Sequence, residues 1–162
     1  MRKTIHEWAR RRGRGALVVV SIALGPCASA WASLGQDVPS VENDRAQLEG
    51  SIAITAAASH TVHEIQLPTG TVVREFVDAS GTVFAVSWHG PFVPNLRQLL
   101  GSYLPALAEA ARARQPRGPA HRGLLLETPE LVVEAGGHMR ALFGRAYIPA
   151  LVPADMDPAE LQ

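Results

Sequence analysis

Three runs of alternating apolar and polar residues, 61–67, 71–78 and 82–89, stand between two turns of one kind, Pro68-Thr69-Gly70 and Ala79-Ser80-Gly81. A period of two marks strands that turn successive side chains to opposite faces. Each turn fits a three-residue hairpin loop with glycine in the left-handed position. That loop sets Leu67 opposite Thr71 and Asp78 opposite Thr82, which predicts an antiparallel meander of three strands. His63 then faces Glu75 and Glu64 faces Arg74, two complementary pairs across the first hairpin. Strict alternation puts Val62, Val72, Phe76, Phe84, Val86 and Trp88 on one face. The other face receives Ile65, Leu67, Val73, Val77, Val83 and Ala85 around His63 and Glu75. Two apolar faces call for two covering layers: a helix over the aromatic one, and C-terminal hairpins or a partner protein over the other.

Upstream, residues 33–40 read as an extended lead-in and Ser40 as the cap of a short helix over 41–48. Glu42 and Asp44 would lie near its positive end, and Gly50 would close it. The alanine-rich stretch 52–59 is a loop or an edge strand. Downstream of Gly90-Pro91, a helix opening at Pro94 carries one apolar stripe, Leu96, Leu99, Leu100, Tyr103, Leu104, Leu107 and Ala111. Pro105 inside it predicts a kink or two helices in sequence. Residues 112–123, rich in proline, glycine and arginine, read as an exposed loop. A second β region follows over 123–127, 130–135 and 138–148, with turns at Thr128-Pro129 and Gly136-Gly137. The acidic tail 154–162 is expected to fray. The fold class is α+β: a short N-terminal helix, a three-stranded antiparallel meander, a kinked helix and C-terminal antiparallel hairpins, in one domain over 33–153.

Residues 1–32 carry another pattern: a basic stretch over 1–14, an apolar run over 16–24, then Cys27-Ala28-Ser29-Ala30-Trp31-Ala32. A run of about ten residues is half the roughly 20 that a membrane-crossing helix needs. Ala30 and Ala32 supply the small-residue pattern of a signal-peptidase site, so a cleavable export signal is expected, cut after Ala32 with Ala30 as the alternative. Cys27 follows Pro26, where a lipoprotein signal wants a small residue. Gly13-Arg14 follows Arg10-Arg11-Arg12, where a twin-arginine signal wants an apolar pair, so the general secretory route is expected. Pro26 and the small residues after it argue against an uncleaved anchor. The processed chain would be periplasmic or secreted, with no transmembrane segment.

Processing changes the charge. The whole chain balances 15 basic against 15 acidic residues. Losing six of the basic residues and Glu7 leaves nine against fourteen, a net charge of −5 with histidines neutral. That disfavours nucleic acid as a partner. The remaining basic residues are all arginine, and the single cysteine leaves with the signal. Disulfides, thiolate nucleophiles and cysteine-ligated metals are thereby excluded from the processed chain.

The blocks His63-Glu64-Ile65, Gly70-Thr71-Val72-Val73-Arg74-Glu75-Phe76, Gly81-Thr82-Val83-Phe84-Ala85-Val86 with Trp88, Leu96-Arg97-Gln98-Leu99-Leu100-Gly101, and Gly136-Gly137-His138-Met139-Arg140 with Gly144-Arg145-Ala146-Tyr147 resemble the exported bacterial domain-of-unknown-function family numbered 2844. The resemblance spans about residues 34–153. It implies no activity, substrate, cofactor or catalytic residue.

Chemistry is therefore argued from residue types. His63 opposite Glu75 has the makings of a general base with an orienting carboxylate. A cross-strand polar pair on a partly exposed sheet is the plainer reading, because no nucleophile is placed beside it; Ser87 lies near the same edge without a nucleophile-elbow turn. His60 and His63, three apart on a strand, point to opposite faces and do not chelate, so no metal is expected. Gly136 and Gly137 with His138 and Arg140 offer backbone amides, an imidazole and a guanidinium to a small anion. A turn that needs the glycines, with Arg140 paired to Glu130 or Glu134, is the plainer account. Phosphate-cradling loops are absent, and no cofactor is expected.

These features favour a non-enzymatic binding or accessory module for an envelope component. A small hydrolase built on His63 and Glu75, or small-anion binding at His138 and Arg140, are the alternatives. The exported form is predicted to begin at Ser33. Intact-mass measurement checks it: retention of the first 32 residues, or a diacylglyceryl mass on Cys27, contradicts the assignment.

Overall fold

A computed structural model describes residues 33–113 and 123–162. The expected export signal, and all but the ends of the expected loop over 112–123, lie outside the described residues.

The meander forms in the expected register. Strands β2 (His60–Gln66), β3 (Val72–Asp78) and β4 (Val83–Gly90) pair antiparallel, with His63 opposite Glu75 and Glu64 opposite Arg74. Both loops close as predicted: Leu67 N–H donates to Thr71 O at 2.9 Å and Asp78 N–H to Thr82 O at 2.9 Å. Gly70 and Gly81 take φ of 84° and 86°, which glycine alone adopts freely. The alanine-rich stretch expected as a loop or an edge strand is the edge strand β1 (Ser51–Ala56), which pairs with β2.

The C-terminal strands β5 (Leu124–Glu127), β6 (Val132–His138) and β7 (Ala141–Tyr147) do not cover the meander as a second layer. Instead β7 pairs with the free edge of β4, giving one antiparallel sheet in the order β1-β2-β3-β4-β7-β6-β5. A meander of three strands left β4 with an unpaired row of N–H and C=O groups, and β7 satisfies it.

Strict alternation fails at one place. Val77 pairs with Val83 but Phe76 pairs with Ala85, so β4 carries an extra residue at Phe84. This β-bulge turns Val86 and Trp88 to the face that holds Ile65, Val73, Val77 and Val83, and leaves Phe84 with Phe76 on the other. The helices cover the first of these faces, the one around His63 and Glu75, and not the aromatic face as expected. There α1 (Val38–Gln47), α2 (Leu96–Leu100) and α3 (Leu104–Ala113) add Val41, Leu99, Leu100 and Leu107 to one core. A 3₁₀ turn over Gly101–Tyr103 separates α2 from α3, so Pro105 stands in the first turn of α3, where its missing N–H costs nothing.

Helix α1 starts three residues earlier than expected. Asp37 precedes it, Pro39 lies in its first turn, and Ser40 is inside it, donating back to Asp37 O at 2.6 Å. Asp44 therefore lies in the body of the helix, and Glu49, not Gly50, takes the left-handed position after it, with φ 55°.

The segment expected to fray packs on the aromatic face. Leu161 is only 1% exposed and joins Phe76, Phe84 and Ala85, with Leu151, Val152 and Met156 alongside. Arg145 Nη1 donates to Pro158 O at 2.7 Å and Arg74 Nη1 to Gln162 O, tying the segment down.

Leu100 is fully buried in the helix-covered core. Leu100→Ala is expected to cost about 2–5 kcal/mol in urea unfolding. A loss under about 1 kcal/mol would mean that the helices contribute little to the core.

Candidate functional site

Glu75 is the middle inward-facing residue of the run Val73, Glu75, Val77, and its side chain is 0% exposed. Helix α1 delivers a second carboxyl to it, because Ser40, Val41 and Asp44 share the buried face of that helix. Ser33 Oγ donates to Glu75 Oε1 at 3.0 Å, and Gln98 Nε2 of α2 donates to Asp44 Oδ1 at 3.0 Å and to Asp44 O at 3.2 Å. Asp44 Oδ2 and Glu75 Oε2 are buried without a donor from any other group. Burial first, then the neighbouring Asp44 charge, pushes Glu75 well above the usual carboxylate range. Asp44 is raised by burial, against the hydrogen bonds from Gln98 and Ser33. The two carboxyls are in hydrogen-bonding contact, so a proton on Glu75 is the donor that Asp44 accepts.

His63 stands opposite Glu75 in register and is buried on the same face. The partners of Glu75 are nevertheless Ser33 and Asp44, and burial lowers the pKa of His63, holding the ring neutral. A partly exposed polar pair was expected; Glu75 is instead inside the core. The signal for this was present as a glutamate in the middle of an apolar alternation. Nothing in the sequence pointed to Asp44, Gln98 or Ser33 as its neighbours.

The glycine turn also differs from expectation. Gly136 and Gly137 lie inside β6, paired with Phe143 and Leu142, and the turn is Met139-Arg140, with Arg140 at φ 65°. The glycines admit the partner strand: a Cβ on Gly137 would lie 2.1 Å from Ala141 O. His138, Met139 and Arg140 are exposed at the loop tip. Glu134 pairs with Arg145 and not with Arg140.

On the face opposite the helices, one row of polar residues crosses five strands. Glu64, Arg74, Ser87, Arg145 and Glu134 are successive register partners on β2, β3, β4, β7 and β6. Arg74 Nε lies 2.8 Å from Glu64 Oε2, and Arg145 Nη2 2.8 Å from Glu134 Oε2. Ser87 sits between the two ion pairs, and its buried Oγ has no hydrogen-bond partner among the described residues. Above it opens a cavity of about 540 Å³, walled by both arginines, His89, Phe143 and Gln162. A second hollow, about 370 Å³, adjoins it past Arg74 and Gln162. Sequence reasoning noted Ser87 and the Glu64–Arg74 pair but missed the row, because the pairing of β4 with β7 joins segments some 60 residues apart.

Among the described residues no group of three or more His, Cys, Asp or Glu side chains is placed to hold a metal ion, and no helix is long and apolar enough to cross a membrane. A family model described as "Protein of unknown function (DUF2844)" matches residues 30–161. No curated protein and no solved structure matches the chain.

The raised carboxyls set a pH dependence. While residue 32 stays joined to Ser33, the folded chain holds a proton that the unfolded chain releases above the usual carboxylate range. Stability should therefore rise as pH falls from neutral toward that range. Glu75→Gln keeps a donor facing Asp44 and should flatten the slope. Urea midpoints between about pH 5 and about pH 8 test this, and an unchanged slope in the variant contradicts it.

Proposed function

The chain belongs to the DUF2844 family of proteins of unknown function, and we propose that it is an exported, non-enzymatic binding module for an envelope component, with its ligand seated over Ser87. The observation that carries this reading is the buried, unpartnered Ser87 Oγ at the floor of the 540 Å³ cavity. The volume falls within the range of about 300–1,000 Å³ common to small-ligand sites. Both arginines of the wall are already neutralised by Glu64 and Glu134, so the site favours a polar, uncharged group over a free anion. Phe143, 48% exposed, supplies an apolar surface beside it. A peptide or a saccharide of the envelope has this mix of hydrogen-bonding and apolar surface.

The hydrolase alternative at His63 and Glu75 gains no support from the geometry, since Glu75 is enclosed in the core and is bonded to Ser33 and Asp44. His138 and Arg140 stand exposed at the tip of the turn between β6 and β7, which lends anion binding there no particular support.

The test is capture of envelope components by the processed protein, identified by mass spectrometry. Phe143→Ser and Ser87→Val are expected to abolish capture of the same component while His63→Gln retains it. Capture that survives both cavity variants and fails with His63→Gln would overturn the assignment and favour the opposite face.

A further inference from the structure

We infer that the mature chain begins at Ser33 and that its free ammonium group is the counter-charge of the buried Asp44 and Glu75 pair, a second use of the export proposed above. Two carboxyls facing each other inside a core are costly unless a cation or a proton joins them. Among the described residues no cation does so. Arg45 pairs with Glu42 at 2.6 Å, Arg74 with Glu64 and Arg145 with Glu134, each on the surface. The remaining titratable group facing the pair from the sheet is His63 of β2, neutral through burial, and α2 presents the uncharged Gln98.

Ser33 is already in place. It is 0% exposed, where the start of a domain is ordinarily at the surface. Its hydroxyl donates to Glu75, and its backbone nitrogen lies within hydrogen-bonding reach of Asp44. As a peptide nitrogen it carries one hydrogen and no charge. Hydrolysis of the Ala32–Ser33 bond adds water across it: the carboxylate leaves on Ala32, and the released amine takes up a proton to become an ammonium with three donors. Those donors and that charge take the place of the shared proton at Asp44 Oδ2 and Glu75 Oε2, the two oxygens to which no other group donates. Cleavage by a signal peptidase thus completes the core as well as releasing the chain. The segment expected as an extended lead-in is instead a turn, closed by Gln36 N–H donating to Ser33 O at 2.9 Å with Gly35 at φ 81°, and it holds the terminus there, with Leu34 N–H donating to Leu99 O at 3.2 Å and Gly35 N–H to Val83 O at 2.8 Å.

The chain offers a clean readout. Lys3 is its single lysine and leaves with the signal, so the processed protein holds one primary amine, the terminus itself. The full 162-residue precursor is expressed in a host with a secretory pathway, and the exported protein is purified, weighed intact and treated with an acetylating N-hydroxysuccinimide ester at neutral pH. The expected result is a mass beginning at Ser33, with acetylation in the folded state slower than in urea by about tenfold or more, since each unit of raised amine pKa removes a factor of ten in free base. Asp44→Asn should restore much of the reactivity. A mass that retains residues 1–32 overturns the export reading and this inference with it. A mass beginning at Trp31, or one beginning at Ser33 whose folded amine labels as fast as in urea, overturns the capture of the terminus while leaving export intact.

Discussion

Strand β4 carries one residue more than β3 across the step from Phe76 to Val77, and the two layers of the domain depend on where that residue goes. Before the bulge, Val83 points to the helices; after it, Val86 and Trp88 do, while Phe84 and Ala85 both point the other way. Without the extra residue, the large Trp88 ring would leave the helix-covered core and crowd the face where Ser87 now stands. A slip of one position exchanges the faces of a whole strand, so a single insertion decides which side is packed and which side carries the polar row.

Local chemistry was legible and long-range chemistry was not. The glycines at 70 and 81 gave the register of the meander to the residue, including His63 opposite Glu75, because loop length and left-handed φ leave few alternatives. The stripe through Leu99, Leu100 and Leu107 gave the helices, and the break between them falls at Gly101–Tyr103 rather than at Pro105. The bulge at Phe84 has no local signature, and so strict alternation puts Ala85, Val86 and Trp88 on the wrong faces beyond it. Gly136-Gly137 has the pattern of a turn, since paired glycines usually make one, whereas here they make room for Phe143 and the backbone at Ala141. The tail looked polar enough to fray, yet Leu161 is spaced to reach Phe76 and Phe84, a contact set by tertiary geometry and invisible to periodicity.

The two faces divide the work of charge. On one, carboxyls are buried against each other and against Ser33, held there by the cost of leaving them unsatisfied. On the other, each arginine has its own glutamate within hydrogen-bonding distance at the rim of the cavity, so the polar row is neutral overall and its arginines stay oriented. For the ligand proposed over Ser87, oriented donors without net charge would mean selection by hydrogen-bond geometry rather than by attraction to charge.

The burial of Leu161 has a kinetic consequence. Synthesis delivers a chain from its N-terminal end, and here the central strand β4 waits for β7, while the face of Phe84 waits for Leu161. Residues 33–37, which lie along the start of β4, meet a sheet that is still half built. The domain therefore closes late and as a unit, since its contacts join distant parts of the chain. Until Leu161 docks, Phe76 and Phe84 share a face with no cover from that side chain.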